Sequence, residues 1–479
     1  MIASATASSR RPFAAALAPV GAAAAALAFA VVGYVAVVDM RVAVTLGAIL
    51  AFAGWAVISY VYPRMALSTS FLVVLVAGTK FRMRDADASL EGALDLQVLF
   101  EIALFALVAV GVAAAWFAEE SHRRLTRAEG AILAFAAVAF ASTVWSVAPA
   151  LTAVRAMQLL VLSALAILAV RVLTPAAALW TACATVAVYV LMCAGLAVAF
   201  PWAASPYDYQ DVFRFSWFSI HPVEAGTLAA IGALGALSAS LLPRPGGIRR
   251  VLGIPPFFYT VALTAILILT NSRGPVFAFA GGAAVFLLMS VRPSFRAALV
   301  LAAAAAVLLY AVSPPDLSRR LDAFANHDSA VTRLLFRDQA PDTVLALNGR
   351  LNLWDDLRPA IAAHPSVGYG YQASRGVVLD AAAWAAYAHN ALLQTMLDLG
   401  AVGTVALCAV VIIGVVDTGR RATGPWLRAT IAAVMAFLLL NSISTESFAG
   451  APGFETLLLF VCVACASAAR DERNVRSMS

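Results

Sequence analysis

The sequence is short of charge, and of lysine almost entirely. Only 12% of its 479 residues are charged, 63% are hydrophobic, and Lys80 is the single lysine. Soluble domains carry roughly 25% charged residues to cover their surface, so a soluble globular protein is excluded. The net charge of +6 is carried almost wholly by arginine. No basic stretch is interleaved with aromatic residues, which removes nucleic acid as a partner. Cysteine is scarce, and Cys183, Cys193, Cys408, Cys462 and Cys465 all fall inside apolar runs. No disulfide framework is therefore implied, and Cys462-Val-Ala-Cys465 lacks the second pair or histidine partner that a redox or metal motif needs. Carboxylate clusters of metal-ligand spacing are missing, and so is the internal repeat that marks many transporters.

What the sequence has in abundance is apolar length. Runs long enough to cross roughly 30 Å of hydrocarbon begin near residues 13, 42, 65, 98, 130, 151, 177, 223, 255, 275, 297, 390, 427 and 453. They predict an all-α, polytopic transmembrane bundle of about 12–14 helices. The first run follows Arg10 and Arg11 and extends to Val38, too long for the apolar part of a signal peptide, so it reads as a transmembrane helix. The third, Met65–Gly78, is short enough for a re-entrant segment.

Arginine sets the orientation. With helices alternated, Arg123/Arg124/Arg127, Arg244/Arg249/Arg250, Arg292/Arg296, Arg420/Arg421 and Arg470/Arg473 share one side. The positive-inside rule makes that side the cytoplasm, with both termini inside. Lys80–Arg84 is the one dissonant stretch. The opposite face receives Pro201–Pro222, Asn271–Pro275, a long loop from Ser313 to His389, and Ser442–Pro452. The chain thus divides into N-terminal helices (1–312), an external loop or cap (313–389) and C-terminal helices (390–479). Within the loop, Leu353, Leu357 and Ile361 stand at fourfold spacing, predicting an amphipathic helix over Leu351–Ala363.

Charges inside membrane helices are costly and tend to be functional or paired. Glu101 and Glu455 are expected to snorkel or to pair between helices, as is Glu224. Arg155 fits ligand binding and pairing equally well, and Asp398 is expected to pair with another helix. A sharper pattern lies at three helices that start on the external face. His221-Pro222 opens one, with Arg214 upstream; Asn271-Ser272-Arg273-Gly274-Pro275 opens the next; His389-Asn390 opens the third. Pro275 suits the first helical position and Asn390 the N-cap. Each start presents unpaired N–H groups and about half a positive charge. Together with Arg214, Arg273 and His389 they would suit a strongly anionic group such as a diphosphate.

At these residues the chain resembles the O-antigen ligase/polymerase family of O-antigen ligases, O-antigen polymerases and exopolysaccharide polymerases. AHNALLQTMLDLGAVG carries the ligase-like His389-Asn390, Gly400 and Gly403, and TNSRGPVFAFAGG carries Ser272, Arg273 and Gly274. GRLNLWDDLRPAIAAHPSVGYGY is similar to the preceding family segment through Arg350, Trp354, Pro365, Gly368 and Gly370. STVWSVAPALTAVRAMQLL, with Trp145-Ser146 and Arg155, resembles the exopolysaccharide-polymerase members. RFSWFSIHPVEAG stands in place of the family's Arg…His-Pro-Asn segment and departs from it, with Val223 where Asn is usual.

The resemblance implies a metal-independent, cofactor-free glycosyltransferase in a multi-pass bacterial inner membrane, its site facing the periplasm. Its donor would be a glycan on undecaprenyl diphosphate, and its acceptor lipid A core or another lipid-linked saccharide, both delivered within membrane lipid. Arg273 and Arg214 would hold the diphosphate, and His389 would serve the acceptor hydroxyl. Arg155, Ser272, Arg350, Asn390, Tyr371 and His221 would line the substrate sites, with Tyr371, Trp354 and Trp384 as stacking surfaces. Ligase and polymerase remain open, and the rival class is a flippase that moves lipid-linked sugars without breaking a bond.

Overall fold

The computed structural model describes residues 52–79, 96–118, 124–200, 203–205, 207–209, 212–242, 253–290, 349–420 and 424–468. The expected runs near 13 and 297, the Lys80–Arg84 stretch, His327 and the first part of the long loop lie outside them. The described residues form an all-α bundle, and seven of their helices are long and apolar enough to cross a membrane.

In chain order the helices are α1 (Phe52–Val61), α2 (Pro63–Ala77), α3 (Leu96–Ala118), α4 (Arg127–Ala141), α5 (Pro149–Leu173) and α6 (Pro175–Ala199). A short hairpin, β1 (Tyr207–Tyr209) and β2 (Val212–Arg214), precedes α7 (Pro222–Leu241), α8 (Pro256–Leu269) and α9 (Arg273–Ser290). Then come α10 (Arg350–Ala363), α11 (Arg375–Ala381), α12 (Ala391–Arg420), α13 (Pro425–Asn441) and α14 (Phe454–Ala468). Proline opens α2, α5, α6, α7, α8 and α13, the position where its missing N–H removes no helical bond. The hairpin is antiparallel, with Tyr207 opposite Arg214, and with the neighbouring Ala204–Trp217 bridge it departs from an all-helical reading.

The short third run is a helix joined to α1 through Tyr62 alone. Trp55, Ser59 and Ser70 all surround Gly111 of α3, where a Cβ would lie 3.3, 3.6 and 3.5 Å from their polar atoms. The chain therefore bends sharply at Tyr62-Pro63, and α1 and α2 pack on the same patch of α3.

The centre of the bundle is α14, predominantly apolar and buried along nearly its whole length, as a helix with no continuous polar face must be. Small residues bring its neighbours together. A Cβ on Gly235 of α7 would sit 2.4 Å from Cys183 Cβ of α6, and one on Gly282 of α9 would sit 2.9 Å from Ala433 O of α13. Without a hydrophobic drive between helices in lipid, such close backbone approach supplies the packing. Among the described residues, one charged pair is fully inside: Arg171 of α5 donates from Nε and Nη2 to both oxygens of Glu129, at 2.9 and 2.8 Å. Glu129 also closes a capping box with Thr126 at the start of α4, so the pair clamps α4 to α5.

α10 is the amphipathic helix expected in the loop. Leu353 and Leu357 are buried, Ile361 is partly so, and they pack with Val378, Ala385, Ala388 and Leu397 into a small separate core. That core seats the cap directly on the start of α12.

Candidate functional site

α12 is broken. Gly400 has φ 59° and ψ −158°, leaving the carbonyls before it and the amides after it without helical partners. The segment 365–370 supplies them. Tyr369 and Gly370 donate to Leu397 O and Asp398 O at 2.9 and 2.8 Å, while Ala401 and Val402 donate to Pro365 O and Ser366 O at 2.8 and 3.1 Å. Irregular backbone in a membrane protein persists only where other protein satisfies it, and here both strands of the irregularity satisfy each other. The contact leaves no room for side chains: a Cβ on Gly368 would lie 2.5 Å from Leu397 O. The other face of the segment rests on the turn before α5. Trp145 Nε1 donates to Val367 O at 3.0 Å, Val147 N to Tyr369 O at 3.0 Å, and Thr152 to Tyr371 O at 3.0 Å.

Asp398 locks this arrangement. It accepts from Ser374 Oγ at 2.6 Å, Ser374 N and Gln372 Nε2 at 3.3 Å, and Gln394 Nε2 at 3.1 Å. The expected helix-to-helix pair is thus replaced by a loop clamp, because the break at Gly400 brings the 372–374 backbone within reach. Tyr371 lies under the same clamp at 2% exposure, so it is not the stacking surface expected of it. Burial and the neighbouring Asp398 carboxylate push its phenol well above the usual range, against the opposing pull of Arg155. Arg155 itself pairs with Glu101 and donates to Gln158 Oε1 at 2.9 Å; Gln158 also donates to Glu101.

Two of the three helix starts singled out in the sequence touch directly, and the third is joined to them through the turn after α13. α7 meets α9 at Gly226, where a Cβ would lie 2.8 Å from Thr270 Oγ1 and 3.3 Å from Ser272 Cβ. α9 meets the turn after α13 at Gly274, where a Cβ would lie 2.8 Å from Ser444 Oγ. α12 meets the same turn: Ala391 N donates to Ser442 O at 3.0 Å and Asn390 Nδ2 to Ile443 O at 3.3 Å. Asn390 is the N-cap, accepting from Leu392 N and Leu393 N at 3.0 and 3.1 Å. His221 caps α7 in the same manner, Nδ1 accepting from Val223 N at 3.2 Å.

Arg214 is carried into this corner by the hairpin. It is 6% exposed and donates to Ser272 Oγ at 2.9 Å and, more loosely, to Thr270 O at 3.4 Å. It therefore braces the turn on which Arg273 starts α9. Arg350 starts α10, and burial holds its guanidinium below the usual range while the charge of Glu446 opposes the shift. His389 has φ 50°, a left-handed conformation uncommon for a non-glycine residue and enriched at functional sites. Its ring stacks on Trp384 at 5.9 Å and 10°, and its Nδ1 lies 3.3 Å from Glu446 Oε2. Trp384 is 60% exposed, whereas Trp354 is tied into the cap by Nε1 donating to Ala388 O at 2.9 Å.

Glu446 was not singled out from the sequence. The signal was present, since it is the only charged residue in the Ser442–Pro452 stretch, but nothing in the sequence places that stretch against His389. No group of three His, Cys, Asp or Glu with metal-holding geometry occurs among the described residues.

Residues 258–408 match the family model described as O-Antigen ligase. That stretch belongs to the O-antigen ligase family. No curated protein matches the chain. The O-antigen ligase segment runs from α8 into α12 and holds Ser272, Arg273, Arg350, Tyr371, His389 and Asn390. Arg155, Arg214, His221 and Glu446 lie outside it, so the corner is completed by helices on either side of the matched segment.

Proposed function

We propose that the protein is a glycosyltransferase of the O-antigen ligase or polysaccharide polymerase type, acting at the periplasmic face of the inner membrane. It would move a glycan from undecaprenyl diphosphate to a saccharide acceptor, either lipid A core or another lipid-linked repeat. The observation that carries this reading is that the α7 start meets the head of α9 at Gly226, with Arg214 on Ser272, while the α9 and α12 starts, bearing Arg273 and His389, share the Ser442–Glu446 turn.

Glycosyl transfer from a diphosphate needs charge stabilised on the departing group. Preorganised donors in a water-poor site achieve this without reorganising as the bond breaks. Arg273, at the start of α9 and braced through Ser272 by Arg214, supplies that charge beside the positive end of the helix. His389 serves the acceptor hydroxyl as general base. Because the leaving group is stabilised by guanidinium and helix ends, the reaction needs no metal. The exposed face of Trp384 offers a sugar ring a stacking surface beside that base, and Arg350 adds positive charge nearby. A single displacement of this kind inverts the anomeric centre.

The test is deletion of the gene in its host, complemented by wild type, Arg273→Ala and His389→Ala at matched membrane abundance. Surface glycan is read by gel and lipid-linked intermediates by mass spectrometry. Long lipid-linked chains with bare lipid A core identify a ligase; accumulated single repeats identify a polymerase. Normal glycan from both variants would overturn the transferase reading, and a defect confined to export of intact lipid-linked sugars would favour the flippase.

A further inference from the structure

We propose that Glu446 is the positioning residue of His389, holding the imidazole so that Nε2 faces the acceptor hydroxyl. The inference rests on the reading of His389 as base and deepens it.

The geometry constrains the ring on two sides. Glu446 Oε2 is 3.3 Å from Nδ1, so a proton on that nitrogen points at the carboxylate and leaves Nε2 as the acceptor. The Trp384 indole lies parallel to the ring at 5.9 Å, which fixes its plane. With one edge and one face occupied, the imidazole presents Nε2 in a set direction. Glu446 is in turn held by its surroundings. Its carbonyl accepts from Ala449 N at 2.9 Å in the 3-10 turn Ser447–Ala449. Gly450 leaves the space its side chain occupies, since a Cβ there would lie 2.7 Å from Glu446 Cγ.

The charge state fits the role. Burial opposes ionisation of Glu446, but the hydrogen bond and charge of His389, with Arg350 beyond, hold its carboxyl below the usual range. The carboxylate is therefore ionised at neutral pH and stabilises the imidazolium that forms during transfer. Glu455 of α14 also faces it among the described residues, and Glu224 of α7 faces Glu455 in turn.

In the step itself, the acceptor O–H bond breaks and its proton passes to His389 Nε2. The acceptor oxygen bonds to the anomeric carbon as the bond from that carbon to the diphosphate oxygen breaks, the electron pair leaving with the diphosphate. The Nδ1 proton stays between the ring and Glu446, and the imidazolium afterwards releases the Nε2 proton to water.

The experiment uses the full chain in nanodiscs, with glycan-bearing polyprenyl diphosphate extracted from the deletion host and the saccharide acceptor that the complementation test identifies. Wild type, His389→Ala, Glu446→Gln and Glu446→Asp are compared for kcat, donor KM and pH–rate profile. Glu446→Gln should lower kcat about 10- to 100-fold, by analogy with the loss when the outer partner that orients a metal-bound histidine is removed, with donor KM unchanged. Its acidic limb should move to lower pH, because a neutral amide no longer favours the imidazolium; Glu446→Asp should recover part of the rate and move the limb less. If Glu446→Gln does not fold, the Glu446→Asp limb decides, and an unmoved limb overturns the proposal. Wild-type kcat in Glu446→Gln with His389→Ala inactive overturns the dyad but leaves the base. Full activity of His389→Ala overturns the base, and the dyad with it.

Discussion

Replacing Gly400 with alanine should unseat the 365–370 segment from α12. Two costs add at this position. The backbone, at φ 59° and ψ −158°, lies where essentially only glycine goes, and forcing another residue there costs of order 1–3 kcal/mol. The added Cβ would stand 2.3 Å from Ser366 C and 2.4 Å from Val367 N, backbone atoms that cannot swing aside as a side chain tip can. The segment must shift, which weakens the bonds of Tyr369, Gly370, Ala401 and Val402 across the break. At about 1 kcal/mol net for each bond lost, losing two brings the total to about 3–5 kcal/mol. The purified protein would be followed by thermal unfolding and by transfer activity, with Gly376→Ala as control. Gly376 has no atom within 4 Å of its Cβ position and lies inside α11, so alanine there should be neutral or slightly stabilising. A Gly400→Ala protein that unfolds with wild type and transfers at the wild-type rate would refute the reasoning. It would mean that the break is not held open by the packed segment.

Other outcomes follow from the same packing. Asp398→Asn presents an amide to donors from Gln372, Ser374 and Gln394, leaving some of them unpaired at about 1–3 kcal/mol; loss of thermal stability with faster proteolysis at 370–375 is the expected result. Arg171→Ala should cost about 3–5 kcal/mol, since it strands Glu129 inside the bundle, and adding Glu129→Leu should recover most of it. Trp384→Ala should raise the acceptor KM more than the donor KM, read by steady-state kinetics with each substrate varied. Glu446 has a folded-state pKa below its ordinary value, so its contribution to stability is present above the unfolded pKa and fades as pH falls through the folded one. Wild type should therefore lose a stability increment on acidification that Glu446→Gln lacks, measured by thermal unfolding from pH 7 to 3.

The amphipathic helix α10 and the N-cap at Asn390 were legible in the residues alone because both are local: fourfold apolar spacing and a capping side chain act within a turn or two. The same holds for the proline helix starts and for Arg273 at the head of α9. Asp398 and Tyr371 were not legible. Their roles depend on a chain segment that docks from outside the helix, and spacing along α12 carries no information about what fills a break. Arg155 shows the intermediate case, a charge recognisable as costly in a membrane whose partner, Glu101, lies on another helix.

By itself the sequence determined that the chain spans a membrane as helices, since no other structure satisfies its backbone in lipid over such apolar lengths. It also determined which helices begin with basic residues. Only the tertiary structure decided that the α7 and α9 starts meet at Gly226 and that the α9 and α12 starts share the turn after α13. Only the tertiary structure, too, set Glu446 against His389, a contact between residues far apart in the chain and fixed by how α12, α13 and α14 pack.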